Sequence, residues 1–373
     1  MHRTGGLPIT GMHHEMDNTD KIPQRVLIIG PSWVGDMMMA QSLFMVLQAR
    51  FPGIHIDVMA PNWSAPLLAA MPQVSGTLEM PLGHGQVQLA QRYRLGRALV
   101  ANAYDWSIVL PNSFKSALIP FWAKIPRRSG YLGEMRLGLL NQWRRLDKTK
   151  LSMTVQRFCN LAFESDDAFF SQYATSQDLP YPQLAVDTDA AAAKLKTSFP
   201  ALFSYTEHKA DLLILAPGAE YGPAKQWPAR YFSAIAKRFM QSTSDARVVL
   251  LGSAKDQAIS QRINQRCDSR LIDLSGKTTL QQAMQIMSLG RAAVSNDSGL
   301  MHLAAAVGIP VVGIYGSSDP GFTPPLSRRA SGLSLHLECS PCFKRECPLG
   351  HLDCLEKLTP DRVWMQLEEI LEA

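Results

Sequence analysis

No stretch of this 373-residue chain reaches the roughly 18 consecutive apolar residues that crossing a bilayer requires, and the N-terminus lacks a basic stretch leading into an apolar core. A cytoplasmic protein is the expectation. Cysteine is scarce at six residues, four of them crowded into Cys339, Cys342, Cys347 and Cys354, too few and too local for a disulfide scaffold. Charged residues make up only 18% against 46% hydrophobic, which sets the chain apart from disordered and fibrous sequences. A formal charge of +5 leans toward acidic partners without calling for nucleic acid. An NTPase phosphate loop is missing as well. Gly30-Pro-Ser-Trp-Val-Gly35-Asp36 has its glycine spacing, but aspartate stands where Lys-Ser/Thr belongs and Pro31 removes an amide from the cradle.

What is present is a steady alternation of short apolar runs and helix-length segments from Arg25 onward, the pattern of parallel sheets covered by helices on both faces. Arg25-Val-Leu-Ile-Ile-Gly30, His55–Ala60 and Trp106–Leu110 read as strands of a first series, with a helix over about 36–50. A second series begins at Asp211–Ala216 and continues through Arg247–Gly252, Leu271–Leu274, Ala292–Ser295 and Pro310–Ile314. The expected fold is α/β: two doubly wound, Rossmann-like domains facing a cleft, joined near residues 174–188. Residues 1–24, polar and carrying His2, His13 and His14, read as a disordered extension rather than a metal site. Residues 25–180 form the first domain and 181–355 the second, and a helix over 356–373 is expected to pack back on the first. Ligands of such sheets sit beyond the carboxyl ends of the strands, so the loops there are where chemistry is sought.

Three such loops in the second half stand out. Asn296-Asp-Ser-Gly-Leu-Met-His302 runs from a strand end into a helix, where free first-turn amides suit an anion. Gly299 admits phosphate oxygens to the backbone, and His302 lies one turn deeper on the face of Ser298. Asp297 and Ser298 would equally serve as helix caps. In Ala216-Pro-Gly-Ala-Glu-Tyr-Gly-Pro-Ala-Lys-Gln-Trp-Pro228, Gly218 keeps the loop open and Lys225 is placed to neutralise a diphosphate or to remain solvated. Asp256, after the next strand, suits a ribose hydroxyl or a cap.

In the first half, Asp36 would repel phosphate but could accept a proton from an attacking hydroxyl; as an N-cap it would be equally at home. Residues 91–150 hold twelve Lys and Arg against three Asp and Glu, a net +9, while the remainder sums to −4. That asymmetry points to a phosphorylated substrate or an anionic leaflet, with Lys115, Arg127 and Arg128 the preferred ligands and a solvated helical face the alternative for the rest.

These motifs, with Val34-Gly-Asp36 and Cys339-Ser-Pro-Cys-Phe-Lys-Arg-Glu-Cys347, resemble the type II heptosyltransferases of bacterial glycosyltransferase family 9 from about Arg25 to the C-terminus. The resemblance implies a GT-B fold and an inverting, cofactor-free and metal-independent transfer of heptose from ADP-heptose to the first heptose of a heptosyl-Kdo-lipid A acceptor. It implies roles too: Asp36 as general base, Lys225 as diphosphate cation, Asp256 as ribose ligand, and Asp297, Ser298, Gly299 and His302 as donor pocket. Work on a lipid acceptor implies peripheral contact with the inner face of the cytoplasmic membrane. The four clustered cysteines have a spacing that would suit structural zinc, but reduced thiols are expected. Within the family a type I or later-acting enzyme is the nearest rival reading. Outside it, a non-catalytic nucleotide-sugar-binding module would bind ADP without turnover, and an epimerase would need no acceptor.

Overall fold

The computed structural model describes residues 22–83, 85–203, 211–242 and 244–372. The expected extension at 1–24 falls outside them except for its last three residues. The first unit carries β1 (Arg25–Ile29), β2 (His55–Ala60), β3 (Gly76–Glu79), β4 (Trp106–Val109), β5 (Arg127–Tyr131) and β6 (Gln142–Arg144). The second carries β7 (Asp211–Ala216), β8 (Ala246–Leu250), β9 (Ile272–Asp273), β10 (Ala292–Asn296), β11 (Val311–Ile314) and β12 (Ala330–Leu333). Every pairing is parallel, in the orders β3-β2-β1-β4-β5-β6 and β12-β11-β10-β7-β8-β9. The two orders are the same topology repeated. β1, β4, β7 and β10 are buried almost throughout and mostly apolar, with Ser107, Ser295 and Asn296 the buried polar exceptions, because helices cover both of their faces.

Each sheet reverses its winding once, between β1 and β4 and between β7 and β10, and a crevice opens beyond such a switch point. Four loops therefore frame the cleft: those after β1, β4, β7 and β10. The strands absent from the sequence reading, β3, β5, β6 and β12, are short, partly exposed and polar or glycine-bearing at the sheet margins, so they lack the apolar run that marks a central strand.

The helix Val34–Arg50 is buried along most of its length, from Met37 to Leu47, with almost no polar face. It shares one buried cluster with Val26 and Ile28 of the first sheet and packs against helix Thr154–Asn160 and the second unit's helix Gly299–Ala306, so it is covered on several sides. Between the units, Leu184 N–H donates to Ala306 O at 2.9 Å and Ala185 N–H to Ala70 O at 2.8 Å, so the connecting segment is tied to both. Helix Pro360–Glu372 does not return to the first unit. Val363, Trp364, Leu367 and Ile370 pack with Leu213, Phe232 and Val312 of the second, because this is the apolar surface lying next to the chain where it leaves β12.

Candidate active site

Asp36 sits in the first turn of Val34–Arg50, where the helix dipole favours a carboxylate. Burial nevertheless pushes its pKa up to about 6, against the opposing pull of Lys225. Asp297 raises it further. Both partners belong to the second unit, so the acid of one half faces a cation and a carboxylate of the other. Lys225 Nζ bonds Asp297 Oδ2 at 2.5 Å, with both side chains largely shielded. Neither helix bordering this gap has a side-chain cap: Trp33 does not cap the first, nor Ser298 the Gly299–Ala306 helix. Ser298 is the N-cap residue, but its hydroxyl meets that of Ser295 at 3.2 Å instead of the first-turn amides.

The Lys225 loop is held from beneath by Asn296, which accepts from Trp227 N–H at 3.0 Å and donates to Pro217 O at 2.6 Å. From outside, Tyr221 Oη donates to Phe343 O at 2.7 Å and Ala224 N–H to Arg345 O at 3.0 Å. Asp256 closes a capping turn, accepting Ser253 N–H and Oγ–H at 2.8 Å each. Its carboxyl also lies against Gly218, where a Cβ would come within 2.4 Å. Gly218 is thus needed for close approach to Asp256, a stricter reason than an open loop.

The two halves touch at two glycines. A Cβ at Gly35 would fall 2.7 Å from His302 Cδ2, and one at Gly299 would fall 2.7 Å from Val34 Cβ. His302 is buried under Gly35, and that burial lowers its pKa to about 4, leaving it neutral near pH 7. Gly35→Ala is expected to force this contact open, costing about 1–3 kcal/mol as an overpacked site does. The activity implied by the family resemblance should fall about tenfold or more, with nucleotide affinity changing little. Measured kinetics and melting temperature should also show that Gly35→Ala adds little in a His302→Ala background, where the obstructing ring is gone.

On the first unit's side of the cleft, Trp33, Trp63, Glu79, Arg92, Asn112, Lys115 and Glu134 are among the residues lining a groove of about 1020 Å³ beyond β1 and β4. Lys115 is there as its position after β4 suggests. Trp33, Trp63 and Glu134 escaped the sequence reading, because their place on the groove depends on which loops the topology brings together.

The sequence pattern described as Glycosyltransferase family 9 (heptosyltransferase) matches residues 92–353. Lipopolysaccharide heptosyltransferase 2 of Escherichia coli (strain K12) is 43% identical over 351 residues, covering 93% of this chain and 98% of its own. The chain belongs to glycosyltransferase family 9. A solved structure, that of E. coli ADP-heptose LPS heptosyltransferase II, superposes with a TM-score of 0.78 at 40% identity, covering 93% of this chain and 98% of that one. Lipopolysaccharide heptosyltransferase 1 of Pseudomonas aeruginosa is more distant, 24% identical, covering 94% of this chain and 98% of its own.

Within this family member, Arg127 and Arg128 are not cleft ligands. They begin β5, and Arg127 pairs in register with Trp106 at the start of β4, so they stand at the end of the sheet opposite the cleft. Arg127 lies over the Trp106 ring at 3.8 Å and bonds Gln142 Oε1 at 2.7 Å; Arg128 donates to Leu139 O at 2.7 Å and Ile125 O at 2.5 Å. Much of the +9 segment is spent in this way. Arg136 is fully buried, donates to Pro111 O at 2.6 Å and Tyr131 O, and is pushed down to about 10 by burial.

Cys339, Cys342, Cys347 and Cys354 all line one small void of about 20 Å³, together with Ala224 and Ser317 from behind the Lys225 loop. Backbone N–H groups of Leu352, Leu349, Gly350 and His351 draw the Cys347 thiol below its ordinary pKa, whereas burial pushes Cys354 up to about 11. Among the described residues no three His, Cys, Asp or Glu side chains are grouped so as to hold a metal ion. No helix among them is long and apolar enough to cross a membrane.

Proposed function

We propose that the chain moves L-glycero-D-manno-heptose from ADP-heptose to the first heptose of a heptosyl-Kdo-lipid A acceptor, with inversion, in lipopolysaccharide inner-core synthesis. The observation that carries this reading is the opposition of Asp36 to the Lys225–Asp297 pair across the gap between the two sheets. An acceptor hydroxyl entering along the groove gives its proton to Asp36 as its oxygen attacks the anomeric carbon. The bond from that carbon to the diphosphate breaks, and its electron pair leaves with ADP. A pKa near 6 leaves Asp36 mostly ionised at pH 7 yet basic enough to take the proton.

Charge grows on the leaving diphosphate, where Lys225 and the uncapped amides at the start of Gly299–Ala306 can meet it. Lys225 exchanges Asp297 for phosphate when donor arrives. Asp256 keeps one oxygen free of its Ser253 bonds for a ribose hydroxyl. Contact between Val34 and Gly299 excludes water that would otherwise hydrolyse the donor. Peripheral contact with the inner membrane face is supported by exposed Met135, Leu137 and Trp143 within the basic segment.

The test mixes the protein with ADP-heptose and mono-heptosylated Kdo-lipid A in EDTA. Acceptor-dependent ADP release and a product heavier by one heptose are expected. ADP binding without turnover, or transfer only onto acceptor lacking the first heptose, would overturn the assignment.

A further inference from the structure

Five arginines of the basic segment direct their guanidinium groups at oxygens of their own fold: Arg92 at Val87 O, Arg127 at Gln142, Arg128 at Leu139 O, Arg136 at Pro111 O and Arg144 at Asn160. These charges hold loops and strand ends together and are not offered to a ligand. Like Arg94, Arg97, Lys124 and Lys150 of the same segment, Lys115, Arg145 and Lys148 make no side-chain hydrogen bond or ion pair among the described residues. These three also line openings at the carboxyl ends of β4, β5 and β6. Lys115 is on the groove already described, while Arg145 and Lys148 line a second cavity of about 480 Å³ with Asn112, Tyr131 and Leu146.

Asn112 borders both cavities. A molecule whose reacting hydroxyl reaches Asp36 from the groove can therefore extend past Asn112 into the second cavity without leaving the protein surface. Of the two nearby acidic side chains, neither is placed to satisfy the cations. Glu134 accepts Phe114 N–H at 3.0 Å on the groove side, and Asp147 accepts Thr149 N–H at 2.9 Å and Thr149 Oγ1–H at 2.6 Å within its own turn. Two unpaired cations facing a cavity attract an anion, and charge-assisted bonds to carboxylate or phosphate are the strong kind.

We propose that Arg145 and Lys148 form an anion subsite that binds a carboxylate or phosphate carried by the acceptor, away from the hydroxyl that reacts. The inference rests on the acceptor reading given above and extends it to residues outside the groove. Binding there raises affinity for the acidic acceptor and fixes its direction along the groove, without touching the donor.

The test is steady-state kinetics of the full chain and an Arg145→Gln/Lys148→Gln variant, with ADP-heptose and a deacylated, water-soluble heptosyl-Kdo-lipid A backbone. The variant's acceptor KM should rise about 10- to 100-fold, with kcat and the KM for ADP-heptose within about threefold. Inorganic phosphate should compete with acceptor in the original chain and lose that competition in the variant. Arg145→Lys/Lys148→Arg should recover most of the lost affinity, which a merely structural role would not require. Phosphatase treatment of the acceptor identifies the source: a persisting penalty assigns a carboxylate, and a vanishing one assigns a phosphate. An unchanged acceptor KM overturns the subsite, as does a variant that loses only binding to anionic vesicles. Failure of the original chain to release ADP with any acceptor would instead overturn the transfer reading itself.

Discussion

Asp36→Asn is expected to lower transfer by about 10²- to 10⁴-fold, the range a general base contributes, while ADP binding stays within about threefold. The amide keeps the shape and hydrogen-bonding reach of the side chain but cannot take the acceptor's proton. In the original chain kcat/KM should climb with pH through an apparent pKa near 6, since only ionised Asp36 is competent. The same substitution should stabilise the fold. Asp36 has a folded-state pKa above its unfolded value of 3.8, so the folded state holds the proton more tightly and stability is lost as pH rises from about 4 through 6. Replacing it removes that loss: at pH 8 the variant should gain up to about 3 kcal/mol, and at pH 3 nothing. Denaturant titrations at the two pH values check the sign. A variant that loses ADP binding along with transfer, or gains no stability at pH 8, sinks the base assignment.

Lys225→Met should fail differently. Losing a cation aimed at developing diphosphate charge costs about 10²- to 10³-fold in kcat/KM for ADP-heptose, and here ADP affinity falls with it. The variant also strands Asp297, whose side chain is only 5% exposed and bonded to Lys225 at 2.5 Å. Breaking a shielded pair by removing one member costs about 3–5 kcal/mol, so the melting temperature should drop as well. A third effect links the two predictions. Lys225 holds the Asp36 pKa down, so in Lys225→Met the acid limb of the rate profile should move above pH 6. Arg at 225 should restore part of the ADP affinity. An unmoved acid limb would mean that Lys225 and Asp36 do not share a site.

Why one side of the cleft was easier to read than the other follows from where its residues lie. Asp297 and Ser298 belong to a loop whose features are local, a strand end, a glycine and a helix start within residues 296–302, while Lys225 lies in the longer glycine-bearing loop between β7 and the helix Ala229–Met240. The first unit's side of the cleft is assembled from loops after different strands, and Arg127 and Arg128 are attractive only by charge. Residues 127 and 128 begin a strand too polar for an apolar-run reading, so nothing local showed that they face away from the cleft. Arg145 and Lys148 are equally basic in sequence, and only the fold distinguishes them from their spent neighbours. Helix Pro360–Glu372 illustrates the same limit, since an amphipathic pattern states that one face is covered without saying by what.

Sequence by itself determined the α/β class, two series of strands, most central strands and the residue types at the strand ends, because buried parallel strands must be largely apolar and strand-to-helix loops favour glycine and polar turn residues. Tertiary structure alone decided which charges are free and which are spent, that Gly35 and Gly299 are contact points between the halves, and that Asp36 is desolvated beside Lys225. Those properties depend on what approaches from far along the chain, and desolvation and pairing are set by neighbours in space rather than in sequence.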